Sequence, residues 1–283
     1  MNISSTLSRS VLRLEGAGIP EARVRAEWLL AHVLSVRRLE LPLMAGRALA
    51  ALEEERVGEG VARLCAGEPL QYVLGETDFL GRTLKTDRRA LIPRPETEQL
   101  VEHVLADAGL WSRPAPAVAD VGTGSGCIVI ALARAHPQAG FLAIDADPAA
   151  LDLARENARA HDVDRRIRFV RGDLLDGVAE GSRDAVVSNP PYVATAEWEG
   201  LSREVRDFEP RGALDGGADG LGVISRLVPQ AFRALKSKGR LYLEIGENQA
   251  RGVREQMGAV GFTAVKVVHD LAGHERFACG IKA

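Results

Sequence analysis

The sequence predicts an α/β protein: a helical N-terminal segment, a β-hairpin, and a sheet domain of alternating strands and helices. Three observations predict it. Up to about residue 67 the apolar residues recur at helical spacing. Between residues 71 and 92 the period changes. From Ala117 onward short apolar runs alternate with helical runs, and the runs end in polar or glycine-rich turns. The boundaries that follow are 1–70 for a helical domain suited to substrate recognition, 71–92 for the hairpin linker and 93–283 for the sheet domain.

At 283 residues the chain has room for one large or two modest cores. A net charge of −3 and a pI near 6.1 give no global field for a polyanion, so direct nucleic-acid binding is not expected, and only a local basic patch would change that. Cys65, Cys127 and Cys279 are scattered without a C-x-x-C pair. That argues against a disulfide framework or a zinc site and fits a reducing cytoplasm. The six histidines lack ligand spacing, so no metal is expected. No basic-then-apolar leader opens the chain and no apolar run approaches the ~20 residues of a membrane span, so a membrane partner is not expected.

In the first segment Pro20 suits a helical first turn. Ala22, Ala26, Leu29, Leu30 and Val33 then form an apolar stripe, with Arg23, Arg25 and Glu27 off it. Another helix is expected over 52–64. The segment carries no catalytic constellation, which leaves partner recognition or packing as its role. Tyr72-Val73-Leu74 and residues 79–84 flank Gly75-Glu76-Thr77-Asp78 as the two strands of the hairpin. Pro95 then opens a helix through Leu100, Val101, Val104 and Leu105, and Arg94 and Glu96 read as capping charges as readily as functional ones.

The strand at 117–121 empties into Gly122-Thr123-Gly124-Ser125-Gly126, and a helical run follows from Cys127. Strand, glycine loop and helix N-terminus together mark a nucleotide-type ligand. A dinucleotide fingerprint would need glycine at 127, where the chain has Cys127. A second strand, 141–144, ends at Asp145, where a carboxylate about 20 residues past the glycine loop suits two ribose hydroxyls. Asp147 is the alternative, and is better placed to cap the helix beginning at Pro148. A third strand, 167–170, ends at Arg171-Gly172-Asp173-Leu174, and a fourth, 185–188, ends at Asn189-Pro190-Pro191-Tyr192. From Tyr192 to about Leu221 neither a strand nor a long helix is expected; such a loop is more often a lid or binding loop than a passive link. A helix at 221–235, a strand at 240–245, a helix at 249–257 and an antiparallel pair at 264–268 and 277–281 complete the layout.

Asn189-Pro190-Pro191-Tyr192 has an inventory suited to a planar NH2 group. Asn189 offers a side-chain carbonyl, and the two prolines offer main-chain carbonyls with no N–H to compete. Tyr192 offers a ring face. Such an NH2 belongs to a carboxamide, an adenine or a cytosine. Its lone pair is delocalised, so it must be held against a strong electrophile to react. A plain strand-ending proline turn accounts for the tetrapeptide equally well when it is taken alone.

The alternating glycines after the acidic strand residue Asp120 resemble the motif of class I S-adenosylmethionine-dependent methyltransferases. That resemblance implies a seven-stranded Rossmann-like sheet and S-adenosylmethionine as cofactor. Gly122, Thr123, Gly124, Ser125 and Gly126 would face its amino-acid part, Asp145 its ribose, and Asp173 and Leu174 its adenine, with Asn189 near the methyl. Residues 67–72, 91–98, 120–126, 189–192, 208–210 and 213–217 further resemble, in order and spacing, the peptide chain release factor glutamine N5-methyltransferases, also known as HemK or PrmC. This family resemblance implies class I release factors as partners and the glutamine of their Gly-Gly-Gln motif as acceptor. Asn189, Pro190 and Tyr192 would be catalytic, and Pro191 would join them in binding substrate. Leu174 stands where some members carry an aromatic, so it would pack on adenine with less stacking.

The principal rival reading is an exocyclic-amine methyltransferase acting on a flipped-out nucleic-acid base, which would use the same two acceptors. The segments outside Asn189-Pro190-Pro191-Tyr192 favour glutamine. Cys127 weighs against a dinucleotide-dependent oxidoreductase, and an intact Asn189 weighs against a non-catalytic binder.

Overall fold

The computed structural model describes residues 1–283. It divides into two units, Met1–Glu76 with Ser202–Phe208, and Thr77–Leu201 with Glu209–Ala283.

In the first unit, helices α1 (Ile3–Gly16), α2 (Ala22–Leu34), α3 (Ala51–Cys65) and the short α4 (Leu70–Leu74) surround a core that includes Ile3, Leu14, Leu29, Leu30, Val61 and Leu64. Of the predicted stripe on α2, Ala22, Ala26, Leu29 and Leu30 are buried and Val33 is half-buried against the same core. The Asn2 side chain caps α1 by accepting from the Ser5 N–H at 2.8 Å. Residues 202–208 fold with this unit, and within it Arg25 grips both carboxylate oxygens of Glu204.

The expected hairpin is present with a different turn. Residues 70–74 are helical and end at Gly75, whose φ of 78° is a left-handed helix cap. The strands are β1 (Glu76–Phe79) and β2 (Arg82–Lys85), joined through Leu80 and Gly81 at φ 51° and 71°. Two consecutive positive φ values match the right-handed twist of a two-residue hairpin, and the Asp78 side chain secures it by accepting from Gly81 N–H at 3.0 Å. The glycine at 75 was thus a helix stop that resembled a turn.

The rest of the second unit runs α5 (Pro95–Leu105), α6 (Ala108–Trp111), β3 (Ala117–Val121), α7 (Cys127–Ala135), β4 (Gly140–Asp145), α8 (Pro148–Ala160), β5 (Ile167–Arg171) and β6 (Arg183–Ser188). After the first-unit helix α9 (Arg203–Phe208) come α10 (Gly222–Ala234), β7 (Leu235–Glu244), α11 (Ala250–Val260), β8 (Phe262–His269) and β9 (Glu275–Lys282). The seven strands lie in the order β5-β4-β3-β6-β7-β9-β8, with β9 antiparallel to both its neighbours and the others parallel. Alternation divides the sheet's side chains between two cores. Val118, Phe141, Ala185 and Val187 bury on one face, and Val121, Ile144, Val186 and Leu243 on the other. Each valine, leucine, isoleucine or phenylalanine among them contributes about 1.5–3 kcal/mol when fully buried.

The order reverses at β3. From it the chain steps one way to β4 and β5, then returns to place β6 on the other side, so the carboxyl ends of β3 and β6 flank a crevice. The register Val121↔Ser188 brings the glycine loop and the Asn-Pro-Pro-Tyr turn side by side. The stretch after Tyr192 is more ordered than expected, with short helical turns at Thr195–Gly200 and Arg211–Ala213 around α9. These pieces are too brief for a helical apolar stripe to show in sequence. No helix is long and apolar enough to cross a membrane.

Candidate active site

A cleft of about 360 Å³ opens at the carboxyl ends of the parallel strands, a volume within the usual range for small-molecule sites. Of the residues singled out in the sequence, Gly122, Thr123, Gly124, Ser125, Asp145, Asp173, Leu174, Asn189 and Pro191 line it, while Gly126, Pro190 and Tyr192 do not.

The floor is the loop between β3 and α7. Its glycines take φ values of 69°, 53° and 83°, conformations that disfavour side chains. A Cβ on Gly122 or Gly124 would meet nothing closer than 4.0 and 3.8 Å, so there the missing side chain leaves open space above the backbone. Gly126 differs, since its Cβ would press on Ile130 and Ala154 at 3.0 and 3.1 Å. Gly126, expected to contact the cofactor, sits where α7 packs closely on α8 and is outside the cleft lining. Buried Asp120 braces the loop by accepting from Thr123 Oγ1 at 2.6 Å and Val129 N–H at 3.2 Å, and burial pushes its carboxyl up to about 7. Asn157 of α8, also buried, donates to the carbonyls of Ser125 (2.9 Å) and Lys85 (3.0 Å) and accepts from Lys85 N–H (2.8 Å), tying the loop to the hairpin.

At the wall, Asp145 accepts from Gly124 N–H at 2.9 Å and Asp147 N–H at 3.0 Å, and burial raises its carboxyl above the ordinary range. Asp147 caps α8 by accepting from Ala149 N–H at 2.8 Å. Asp173, expected beside the adenine, is exposed, lines the cleft and is ion-paired with Arg226 of α10. That part of the cleft therefore offers a charge pair. Leu174 stands beside it at φ 55°.

Asn189 is held by a network that the sequence reading did not contain. Its Nδ2 donates to Thr97 Oγ1 at 3.0 Å, Thr97 donates to Glu244 Oε2 at 2.8 Å, and the Tyr192 hydroxyl donates to Glu244 Oε1 at 3.2 Å. Glu244 is 1% exposed, and burial pushes its carboxyl up to about 7. Burial and the neighbouring Glu244 also raise the Tyr192 hydroxyl well above its usual range. Tyr192 packs against the apolar core beside α10 and α11 instead of presenting its ring to the cleft, and its carbonyl accepts from Gln249 Nε2 at 2.8 Å. The available signal for Glu244 was a lone charge between Leu243 and Ile245 in an apolar strand.

The segment 213–217 doubles back onto this turn. Val193 N–H donates to Leu214 O at 2.9 Å and Gly216 N–H donates to Val193 O at 2.8 Å. Just upstream, buried Glu209 binds Arg94 and accepts from Ile92 N–H at 3.1 Å, joining two edges of the cleft. Floor, wall and Asn189 amide thus converge on one space, with the donors and acceptors of the rim already oriented.

Comparison with known proteins agrees with this arrangement. Residues 5–75 match the PrmC N-terminal domain family and residues 96–204 the methyltransferase small domain family. A release factor glutamine methyltransferase of Nitratidesulfovibrio vulgaris is 42% identical over 268 residues, covering 94% of this chain and 90% of that protein. Another, of Koribacter versatilis, is 41% identical over 283 residues, covering 100% of this chain and 99% of that protein. Among solved structures, a methyltransferase from Pyrococcus furiosus shares the fold at a TM-score of 0.52 and 18% identity, over 83% of this chain and all of that one. Full-length similarity of this degree, on a chain whose glycine loop and Asn-Pro-Pro-Tyr turn meet in one cleft, shows that it belongs to the release factor glutamine methyltransferases.

Proposed function

We propose that the chain transfers the methyl group of S-adenosylmethionine to the side-chain amide nitrogen of the glutamine in the Gly-Gly-Gln motif of peptide chain release factors. The observation that carries this reading is the orientation of Asn189: with its NH2 committed to Thr97, its carbonyl oxygen is left as the free acceptor at the cleft. A carboxamide NH2 is the complement of that acceptor, and the second acceptor this reading assigns, the Pro190 carbonyl, belongs to the next residue of the turn and lies outside the cleft lining until substrate enters.

The residues present fit the cofactor. Open space over Gly122 and Gly124 suits its amino-acid part, Asp145 suits the ribose hydroxyls, and Leu174 offers apolar surface to the adenine. When bound, S-adenosylmethionine supplies an electrophilic sulfonium methyl. Asn189 Oδ1 and the Pro190 carbonyl accept the two amide N–H bonds and orient the nitrogen lone pair. Positive charge develops on that nitrogen as the N–C bond forms and the S–C bond breaks, and the same two acceptors stabilise it. No base is needed beforehand, since the proton leaves the nitrogen for water after transfer. Orientation of this kind lowers a barrier by up to about 7–11 kcal/mol in ideal cases. The three unpaired cysteines suit a reducing compartment.

Labelled-methyl transfer tests the reading with three acceptors: a release factor, its Gln-to-Ala version and a DNA duplex. Label is expected on the first alone; label on the duplex and none on the release factor would refute it. Asn189→Ala should lower kcat at least about tenfold, the scale of one transition-state hydrogen bond of ~1.4 kcal/mol, with cofactor affinity nearly unchanged.

A further inference from the structure

One buried titratable group at the site has no part in the transfer just described. Glu244 lies at the end of β7, facing the first turn of α5 and the turn after β6, and both of its oxygens are engaged. We infer that Thr97 and Glu244 are positioning residues that fix which way round the Asn189 amide faces the substrate. The inference rests on the function proposed above.

The argument is one of hydrogen-bond direction. An ionised carboxylate only accepts, a hydroxyl has a single proton to give, and an amide has one accepting and one donating end. While Glu244 is ionised, Thr97 gives its proton to Glu244, and the Thr97 oxygen is then able only to accept. It accepts from Asn189 Nδ2, and because the amide is planar Oδ1 must point away from Thr97. Tyr192 makes the same commitment to the other carboxylate oxygen, so the two ends of the Asn-Pro-Pro-Tyr turn hang on one anion. Protonation of Glu244 removes this polarity. Glu244 then donates to Thr97, Thr97 is free to donate to Asn189 Oδ1, and the amide turns its NH2 toward the NH2 of the substrate. Two donors then face each other and the substrate nitrogen loses an acceptor.

The surroundings put that change within reach of neutral pH. Burial pushes the Glu244 carboxyl up to about 7 against the hydroxyls of Thr97 and Tyr192. Arg276, itself paired with Asp270, favours the ionised form and Glu96 opposes it. The Cys127 thiol, pushed up to about 12, stays neutral beside it.

The test uses the full chain, labelled S-adenosylmethionine and whichever acceptor the wild type labels. Thr97→Val, which keeps the shape and deletes the hydroxyl, should lower kcat at least about tenfold with cofactor Kd within about threefold, and Thr97→Ser should recover most of that loss. The wild-type kcat should rise with pH through about 7 to a plateau as Glu244 ionises, whereas Glu244→Gln should show a low, pH-independent kcat. Equal impairment in Thr97→Val and Thr97→Ser, an unimpaired Thr97→Val, or an acid limb that survives in Glu244→Gln would each overturn the inference. A wild-type chain that labels only the duplex refutes the choice of substrate and leaves the positioning test readable on that acceptor.

Discussion

Gly216→Ala offers a measure of how tightly the Asn-Pro-Pro-Tyr turn is held from behind. A Cβ at that position would lie 2.5 Å from the Gly220 carbonyl oxygen and 2.8 Å from the Pro191 carbonyl oxygen, both backbone atoms. Gly216 does not have a positive φ, so the substitution adds overlap without left-handed strain. Reaching ordinary contact near 3.4 Å requires the Pro191 backbone to withdraw by about 0.6 Å. Pro191 directly follows the Pro190 carbonyl and is two residues from Asn189, the two acceptors proposed for the substrate amide, and misplacement on the order of 1 Å costs about 100-fold in rate. A fall in kcat of about 10–100-fold is expected, equivalent to ~1.4–2.7 kcal/mol. Overpacking should also cost about 1–3 kcal/mol of stability. The floor residues Gly122 to Ser125 are not among those the new methyl would meet, so calorimetric Kd for S-adenosylmethionine should stay within about threefold. Single-turnover methyl transfer at saturating cofactor is the assay. A kcat within about threefold of wild type would show that the segment 213–217 does not set the position of the turn.

Asp145→Asn keeps the size of the side chain but replaces one accepting oxygen with a donor that faces Gly124 N–H or Asp147 N–H. The Kd for S-adenosylmethionine should rise about tenfold or more by calorimetry, and an unchanged Kd would remove Asp145 from cofactor binding. Asn157→Ala deletes three hydrogen bonds in a side chain that is 1% exposed and strands the Ser125 and Lys85 carbonyls. Urea unfolding should show a loss of about 2–4 kcal/mol, and a loss under about 0.5 kcal/mol would mean that the glycine loop does not depend on this tie.

Elements with a period were legible in the sequence. The strand at Ala117–Val121 and the helix at Cys127–Ala135 occur where the apolar pattern puts them, because each is buried and its composition answers directly to that burial. The hairpin turn was misplaced because glycine serves helix caps and turns alike, and Gly75 is followed by turn-forming residues that in fact belong to a strand. The glycine loop and the Asn-Pro-Pro-Tyr turn were legible as local strings. Their supports were not: Thr97 lies 92 positions from Asn189 and 147 from Glu244, and a hydrogen-bond chain over such distances leaves no periodic trace. The pairing of Asp173 left no trace for the same reason, since its partner Arg226 lies 53 positions away.

The helix α9 has a consequence for how such chains exchange parts. Residues 202–208 fold with the helical unit, yet they are encoded within the stretch that otherwise builds the sheet unit. A recombination event that replaces everything before residue 77 would exchange Arg25 while leaving its partner Glu204 in place. The boundary at residue 76 is therefore not a clean genetic seam: two separated stretches must change together, and the helical unit and the loop after Tyr192 are expected to be inherited as one block.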